Sequence, residues 1–409
     1  MASVTWGAEN SVMSATPPES PSTARRIALP SPFRLTMGGD LVGAEVAVET
    51  YGTLNPARDN AILVFTGLSA SAHAASHPLD PSPGWWDAMI GPGRAFDTDR
   101  HYVVVVNSLG SCFGSTGPAS VNPLTGQVYG GDFPEMRVED IARASQAAVD
   151  ALGIDTLLAA VGCSLGGMTV LAHAALFPGR ARGLVSISGA MAANAAAIAT
   201  RSLQREMVGT LLKAGADRSL VEQAMRWARK IGVLSYVGTD LLEQRFGRDQ
   251  TEPYAGRGSG TDFEVESWLE HLAKKFVRQF DPWSYWTISR AMDLFDFGAF
   301  GVAAGTDGLR HRGATDTAAA ARTLQIERAL VIGVREDLLF PVDQQREMGQ
   351  VLGEAGVDCE YVELCSPYGH DAFLTESALF TPVLTEFLSG LSAPATHRSV
   401  TTHTRQLDA

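Results

Sequence analysis

The residues with the clearest chemical potential lie in Gly162-Cys163-Ser164-Leu165-Gly166-Gly167, a G-x-S-x-G pattern. The apolar run LLAAV precedes it and the helix-like run MTVLAHAAL follows. A strand that turns so sharply into a helix strains the backbone of the central residue, and flanking glycines keep side chains clear of it. Ser164 would then stand at a helix N-terminus, where free N–H groups and the dipole favour negative charge. A glycine-rich turn with an ordinary capping serine would give the same pentapeptide. A nucleophilic serine also needs a general base, and the base needs an acid to orient it. The run ALVIG leads into Val334-Arg335-Glu336-Asp337, and EYVEL leads into Cys365-Ser366-Pro367-Tyr368-Gly369-His370-Asp371. Asp337 is the expected acid, with Glu336 as its competitor, and His370 is the expected base. Of nine histidines it alone follows a late strand in a Gly/Pro turn. The developing oxyanion would be met by the N–H of Leu165 and by one from Thr66-Gly67-Leu68-Ser69-Ala70, the loop after AILVF, where Leu68 is the candidate.

Such a constellation needs strands whose ends converge. GAEVAVETY (43–51) alternates with period two, and AILVF (61–65) and YVVVVN (102–107) are β-branched runs. LLAAVG (157–162), GLVSIS (183–188), ALVIG (329–333) and EYVEL (360–364) are further buried-strand candidates. Runs of this kind, bounded by Gly and Pro and separated by helical stretches, predict an α/β fold with a mostly parallel sheet covered on both faces. Residues 31–191 and 306–391 form its two parts. Between them, 192–305 has no comparable β-run and is rich in Ala, Leu, Met, Arg, Glu and Gln, which predicts a helical insertion over the sheet. Residues 1–30, rich in Ser, Thr, Pro and Ala, are expected to form a disordered leader, and 392–409 a disordered tail.

Composition narrows the partners. The chain has 409 residues, 45% of them hydrophobic, so a large core is available. Its formal charge of −13 disfavours nucleic acid and anionic membranes, and an anionic substrate would need a dedicated Arg or Lys. No apolar run reaches membrane-spanning length. Four cysteines without a CxxC pair support neither a disulfide framework nor a zinc site, and no metal is expected. A reducing, cytoplasmic setting follows, with an organellar one left open by the leader.

Longer blocks are more specific than the pentapeptide. Gly84-Trp85-Trp86-Asp87, Gly91-Pro92-Gly93, Asp97-Thr98-Asp99, Asn107-Ser108-Leu109-Gly110 and Gly114-Ser115-Thr116-Gly117-Pro118-Ala119-Ser120 resemble the homoserine/serine O-acyltransferase family of the α/β-hydrolase fold. FDPWSYWTISRAMDLFDFG, DLLFP and SPYGHDAF extend the resemblance over roughly residues 28 to 390. It implies transfer of an acyl group from acyl-CoA, as co-substrate rather than bound cofactor, to an amino-acid hydroxyl. The triad it implies is Ser164, Asp337 and His370, the same three residues. It also implies that Arg229 (in Ala228-Arg229-Lys230-Ile231-Gly232), Tyr236 and Asp371 bind the zwitterionic acceptor, guanidinium to carboxylate and carboxylate to ammonium. Read without the family, Arg229 would be a solvated charge on a helix face.

Two departures bear on the subtype. Acetyl-transferring homoserine members usually carry H-A-L-[ST]-G where this chain has Thr66-Gly67-Leu68-Ser69-Ala70, which is similar to serine-using members. Arg201 stands where acetyl-using members have an uncharged residue, and a succinyl carboxylate would need such a cation. A helix-surface pair with an acid such as Glu206 is the plainer role for Arg201. The resemblance therefore implies an L-serine O-succinyltransferase of cysteine biosynthesis, active as a homodimer. Serine or homoserine O-acetyltransferase is the alternative, with an esterase or thioesterase further off. A binding protein on the same scaffold would tolerate loss of the triad. Gly114–Gly117 could contact CoA phosphates or form a tight turn; Trp85, Trp86 and Cys163 are expected in the core.

Overall fold

Short β-branched runs pair into one nine-stranded sheet in a computed structural model that describes residues 24–251, 262–302, 315–392 and 403–407. The strands are β1 (Arg25–Ala28), β2 (Glu45–Tyr51), β3 (Ala61–Phe65), β4 (Tyr102–Val106), β5 (Leu157–Cys163), β6 (Ala181–Ile187), β7 (Arg328–Val334), β8 (Asp358–Leu364) and β9 (His403–Leu407). They lie in the order β1-β2-β4-β3-β5-β6-β7-β8-β9. The β1·β2 and β2·β4 pairs are antiparallel, and the others are parallel. Every residue of β3 and β5 is buried, as a sheet covered on both faces requires.

The helices are α1 (Val138–Ala151), α2 (Leu165–Leu176), α3 (Ala195–Lys213), α4 (Arg218–Val233), α5 (Thr239–Phe246), α6 (Glu264–Val277), α7 (Pro282–Leu294), α8 (Thr317–Arg322), α9 (Val342–Glu354), α10 (Ala372–Thr375) and α11 (Ser377–Ser392). One apolar cluster joins a face of the sheet to α1, α2, α9 and the insertion. A second joins the other face to α11 and to Trp86, Met89 and Phe96. Phe380, Leu384, Phe387 and Leu388 of α11 are at most 1% exposed, and each such side chain contributes about 2 kcal/mol by leaving water.

Helices α3 to α7 lie between β6 and β7, where no β-run was expected. Side-chain caps start three of them: Asn194 accepts from Ala197 N, Asp217 from Ser219 N and Asp281 from Ser284 N. Residues 252–261 and 303–305 of the expected insertion lie outside the described residues, as do 1–23 of the leader and 393–402, 408 and 409 of the tail.

Two expectations are corrected. Arg25–Ala28, counted with the leader, pairs with β2, because strand pairing needs backbone groups and here only one inward side chain, Ile27. His403–Leu407, counted with the tail, pairs with β8 along what would be an open edge, and Arg405 reaches Glu386 at 2.8 Å. Strand β2, which alternates in sequence, is covered on both faces. Its Glu49 is 2% exposed because His73 Nδ1 and His77 Nε2 meet its two carboxylate oxygens at 2.9 and 3.0 Å.

Candidate active site

The turn from β5 to α2 is made by Ser164, whose φ of 58° and ψ of −119° lie far from helix and strand. Such strain persists only where the surroundings enforce it. Here the room is set by glycines. A Cβ on Gly162 would lie 2.0 Å from the Gly166 oxygen, and one on Gly166 would lie 2.3 Å from the Phe65 oxygen. Ser164 N–H donates to the Ile187 carbonyl at 2.9 Å, which ties the turn to β6. Leu165 is the first residue of α2, so its N–H has no partner within the helix.

Asp337 follows β7 and His370 follows β8. His370 Nδ1 lies 2.7 Å from Asp337 Oδ2, and Nε2 lies 2.9 Å from Ser164 Oγ. The other Asp337 oxygen accepts the N–H groups of Leu339 and Phe340 at 2.9 and 2.8 Å. Phe340 stacks on the imidazole at 5.3 Å, and Phe373 meets it edge-on at 5.6 Å. All three hydrogen-bonded residues are at most 7% exposed. The competition between Glu336 and Asp337 is resolved by direction. Glu336 turns away and accepts from Ser366 N at 2.7 Å and from Cys365 Sγ at 3.2 Å. Burial works against a charged His370, but the Asp337 charge and hydrogen bond, with the Asp371 charge, outweigh it; the net shift is upward, and Arg201 opposes it.

The expected acceptor residues gather around this ring. Tyr236 lies 5.8 Å from the His370 imidazole, and its carbonyl accepts the His370 N–H at 2.6 Å. Arg229 is not a solvated helix-face charge. Its guanidinium lies over the rings of Tyr236 and Phe276 at 5.0 and 4.8 Å, Nη1 donates to Tyr236 Oη at 3.2 Å, and buried Nε has no partner. Burial raises the Asp371 carboxyl pKa, while His370 and Arg229 hold it down against that.

Arg201 is likewise not a surface pair with Glu206. It is 4% exposed, and its Nε donates to Asp293 Oδ1 at 2.6 Å. Its two terminal nitrogens are buried without a partner. Asp293 and Arg205, the other members of this cluster, drew no attention in the sequence, where Asp293 lies 92 positions from Arg201.

In the first loop Thr66 is buried and its hydroxyl lies 3.1 Å from that of Ser108; Gly67 and Leu68 are half-buried and Ser69 is exposed. Residues 114–117 bend along the start of β2. Ser115 Oγ accepts from Ala47 N and donates to the Asn107 carbonyl, while Thr116 Oγ1 accepts from Glu45 N. Trp86 is 2% exposed and Cys163 is buried, both in the core as expected.

A group that sequence reading missed lies elsewhere. Glu49, His73 and His77 bring potential ligand atoms within 4.8 Å of one another. Both His73 nitrogens are already engaged, by Glu49 and by the Ser82 carbonyl at 2.9 Å, and Tyr51 Oη donates to Glu49 at 2.8 Å. An imidazole donating from both nitrogens has no lone pair for a metal, so the geometry is that of a buried ion pair.

A family model described as the alpha/beta hydrolase fold matches residues 60–377. The chain is 47% identical over 380 residues to a serine O-succinyltransferase of Litchfieldella anticariensis, covering 90% of this chain and 99% of that one. It is 46% identical over 376 residues to an L-serine/homoserine O-acetyltransferase of Streptomyces lavendulae, covering 90% and 98%. Among solved structures, the homoserine O-acetyltransferase of Bacillus anthracis has a TM-score of 0.79 at 25% identity, covering 92% and 98%. Esterase E22 has a TM-score of 0.78 at 26% identity, covering 89% and 99%.

Proposed function

From the premise that the chain belongs to the α/β-hydrolase family, in its group of serine and homoserine O-acyltransferases, we propose that it transfers a succinyl group from succinyl-CoA to the hydroxyl of L-serine. The observation that carries this reading is a Ser164–His370–Asp337 hydrogen-bond chain with the half-buried charged groups Arg229 and Asp371 beside it. An esterase of the same fold would need neither Arg229 nor Asp371.

In the first half-reaction Ser164 Oγ passes its proton to His370 Nε2 and attacks the thioester carbonyl. The N–H groups of Leu165 and Leu68 receive the oxyanion. The carbon–sulfur bond breaks, and CoA leaves as a thiol with the proton from His370. In the second half-reaction the serine hydroxyl gives its proton to His370 and attacks the acyl-Ser164 ester. Collapse returns the proton to Ser164 Oγ and releases O-succinyl-L-serine. Arg229 would hold the serine carboxylate and Asp371 its ammonium, with Tyr236 setting the Arg229 fork and Thr66, Gly67, Leu68 and Ser69 walling the acceptor side. Arg201 would receive the succinyl carboxylate, since its terminal nitrogens are buried donors without acceptors.

A second reading, acetyl transfer to serine or homoserine, is favoured by the 46% identical relative. The experiment pairs succinyl-CoA or acetyl-CoA with L-serine or L-homoserine and follows thiol release and product mass. A higher kcat/KM with succinyl-CoA and serine is expected. Preference for acetyl-CoA would overturn the donor, and acceptor-independent thiol release would overturn the transferase reading.

The proposal extends to a cytoplasmic homodimer. All four cysteines are free thiols, which supports a reducing compartment. Among the described residues no helix is long and apolar enough to cross a membrane. Leu203, Leu220, Trp227 and Leu234 of the insertion are 48–54% exposed and would be covered in a dimer.

A further inference from the structure

Arg201 and Arg205 stand one helical turn apart on α3 and share a single acid, Asp293 of α7. Arg201 Nε donates to Asp293 Oδ1 at 2.6 Å, and Arg205 Nη2 lies 2.5 Å from Asp293 Oδ2. Arg205 Nη1 also donates to Ser289 Oγ at 3.3 Å. The three side chains are at most 8% exposed. Two guanidinium charges against one carboxylate leave a net positive charge in a place that water barely reaches. Buried charge without a counterion is costly, so a site of this kind is built for an anion.

The geometry divides the work. Asp293 grips Arg201 only by Nε, which leaves both terminal nitrogens free as a fork. A lone Arg201–Asp293 pair would be electrically neutral and a poor anion receptor. Arg205 changes that by balancing Asp293. The cluster lies near the triad: the Arg201 charge is felt at His370, and those of Arg201, Arg205 and Arg229 at Tyr285.

We propose that Asp293 and Arg205 are positioning residues for the acyl donor: Asp293 aims the Arg201 fork, and Arg205 neutralises Asp293 so that Arg201 presents a full positive charge to the donor's terminal carboxylate. This inference rests on the donor assignment above. Arg205 thereby sets donor preference without touching the donor.

The test measures kcat/KM for succinyl-CoA and for acetyl-CoA, at saturating L-serine, in the wild type and in R205Q, R205K and D293N. In R205Q the succinyl-to-acetyl ratio falls at least about tenfold, mainly through KM for succinyl-CoA. Lysine restores the charge, so R205K keeps the ratio within about threefold of the wild type. In D293N the ratio also falls, because the fork loses its anchor. If the wild type prefers succinyl-CoA and R205Q depresses both donors by one factor, the cluster is helix-packing glue and the inference fails alone. A ratio that collapses in folded R205K overturns it too, and keeps the proposal falsifiable if R205Q does not fold. If the wild type does not use succinyl-CoA, the donor assignment falls, and this inference with it.

Discussion

Replacing Asp337 by Asn tests the hydrogen-bond chain at its most constrained point. The substitution conserves shape but not charge, and the structure dictates how the new amide must sit. Asp337 Oδ1 accepts two backbone N–H groups, from Leu339 and Phe340, so only the amide oxygen of Asn can take that place. Its NH2 group then faces His370 Nδ1 from the position Oδ2 held, 2.7 Å away in the native protein. An NH2 group donates, so Nδ1 must accept, and the ring proton moves to Nε2. Nε2 lies 2.9 Å from Ser164 Oγ and can no longer receive its proton. The loss therefore combines a wrong tautomer with an unstabilised imidazolium, an arrangement that lowers turnover by about 10⁴-fold, or roughly 5 kcal/mol, in serine enzymes of this design. The assay is donor-dependent thiol release before and after addition of acceptor. Both half-reactions fall together, since the same nitrogen serves both. A loss smaller than about tenfold, or one confined to a single half-reaction, would refute the reasoning.

Other perturbations have definite signs. Asp371→Asn raises KM for serine by about tenfold or more while the acyl-enzyme still forms. Because the Asp371 charge lifts the His370 pKa, the same variant moves the acid limb of the rate profile to lower pH; a shift upward would contradict the electrostatic picture. Gly166→Ala, with its Cβ 2.3 Å from the Phe65 oxygen, destabilises the protein, and urea unfolding is expected to register about 3 kcal/mol or more. At His73, burial opposes the charge, but hydrogen bonds to Glu49 and Ser82 and the charges of Glu49 and Asp80 offset it and lift the pKa to about 9. The stabilisation is complete below pH 6.5, the free imidazole value, and is lost as pH rises through 9. It amounts to at most about 3 kcal/mol. His73→Gln flattens that part of the stability–pH curve, and an unchanged slope would count against the ion pair.

What could be read along the chain was whatever depended on local order. Ser164, Asp337 and His370 each follow a strand, so residue type and succession alone bring them together on paper. Asp337 is the expected acid, but what sets it apart from its competitor Glu336 is direction, which residue order does not carry. That direction is set by N–H groups of Leu339 and Phe340 on one side and Ser366 on the other. Strands β1 and β9 escaped notice because their pairing draws on main-chain groups that every residue carries. Arg201 was singled out, but not its company: Asp293 sits on another helix, and only the crossing of α3 and α7 makes the two neighbours. Glu49 was hidden for a similar reason, its partners being two histidines in a loop more than twenty residues on.

The carbonyl of Tyr236 holds the main-chain N–H of His370, and Gly238 N donates to the Pro367 carbonyl at 3.1 Å. At Gly369, a Cβ would lie 2.6 Å from that same Tyr236 oxygen. The segment after α4 is therefore part of the mounting of the imidazole, not a cover hinged above it. A swing of that segment away from the sheet would unseat the ring that must act twice per turnover. Whatever admits and releases the reactants must therefore leave this short stretch of chain in place.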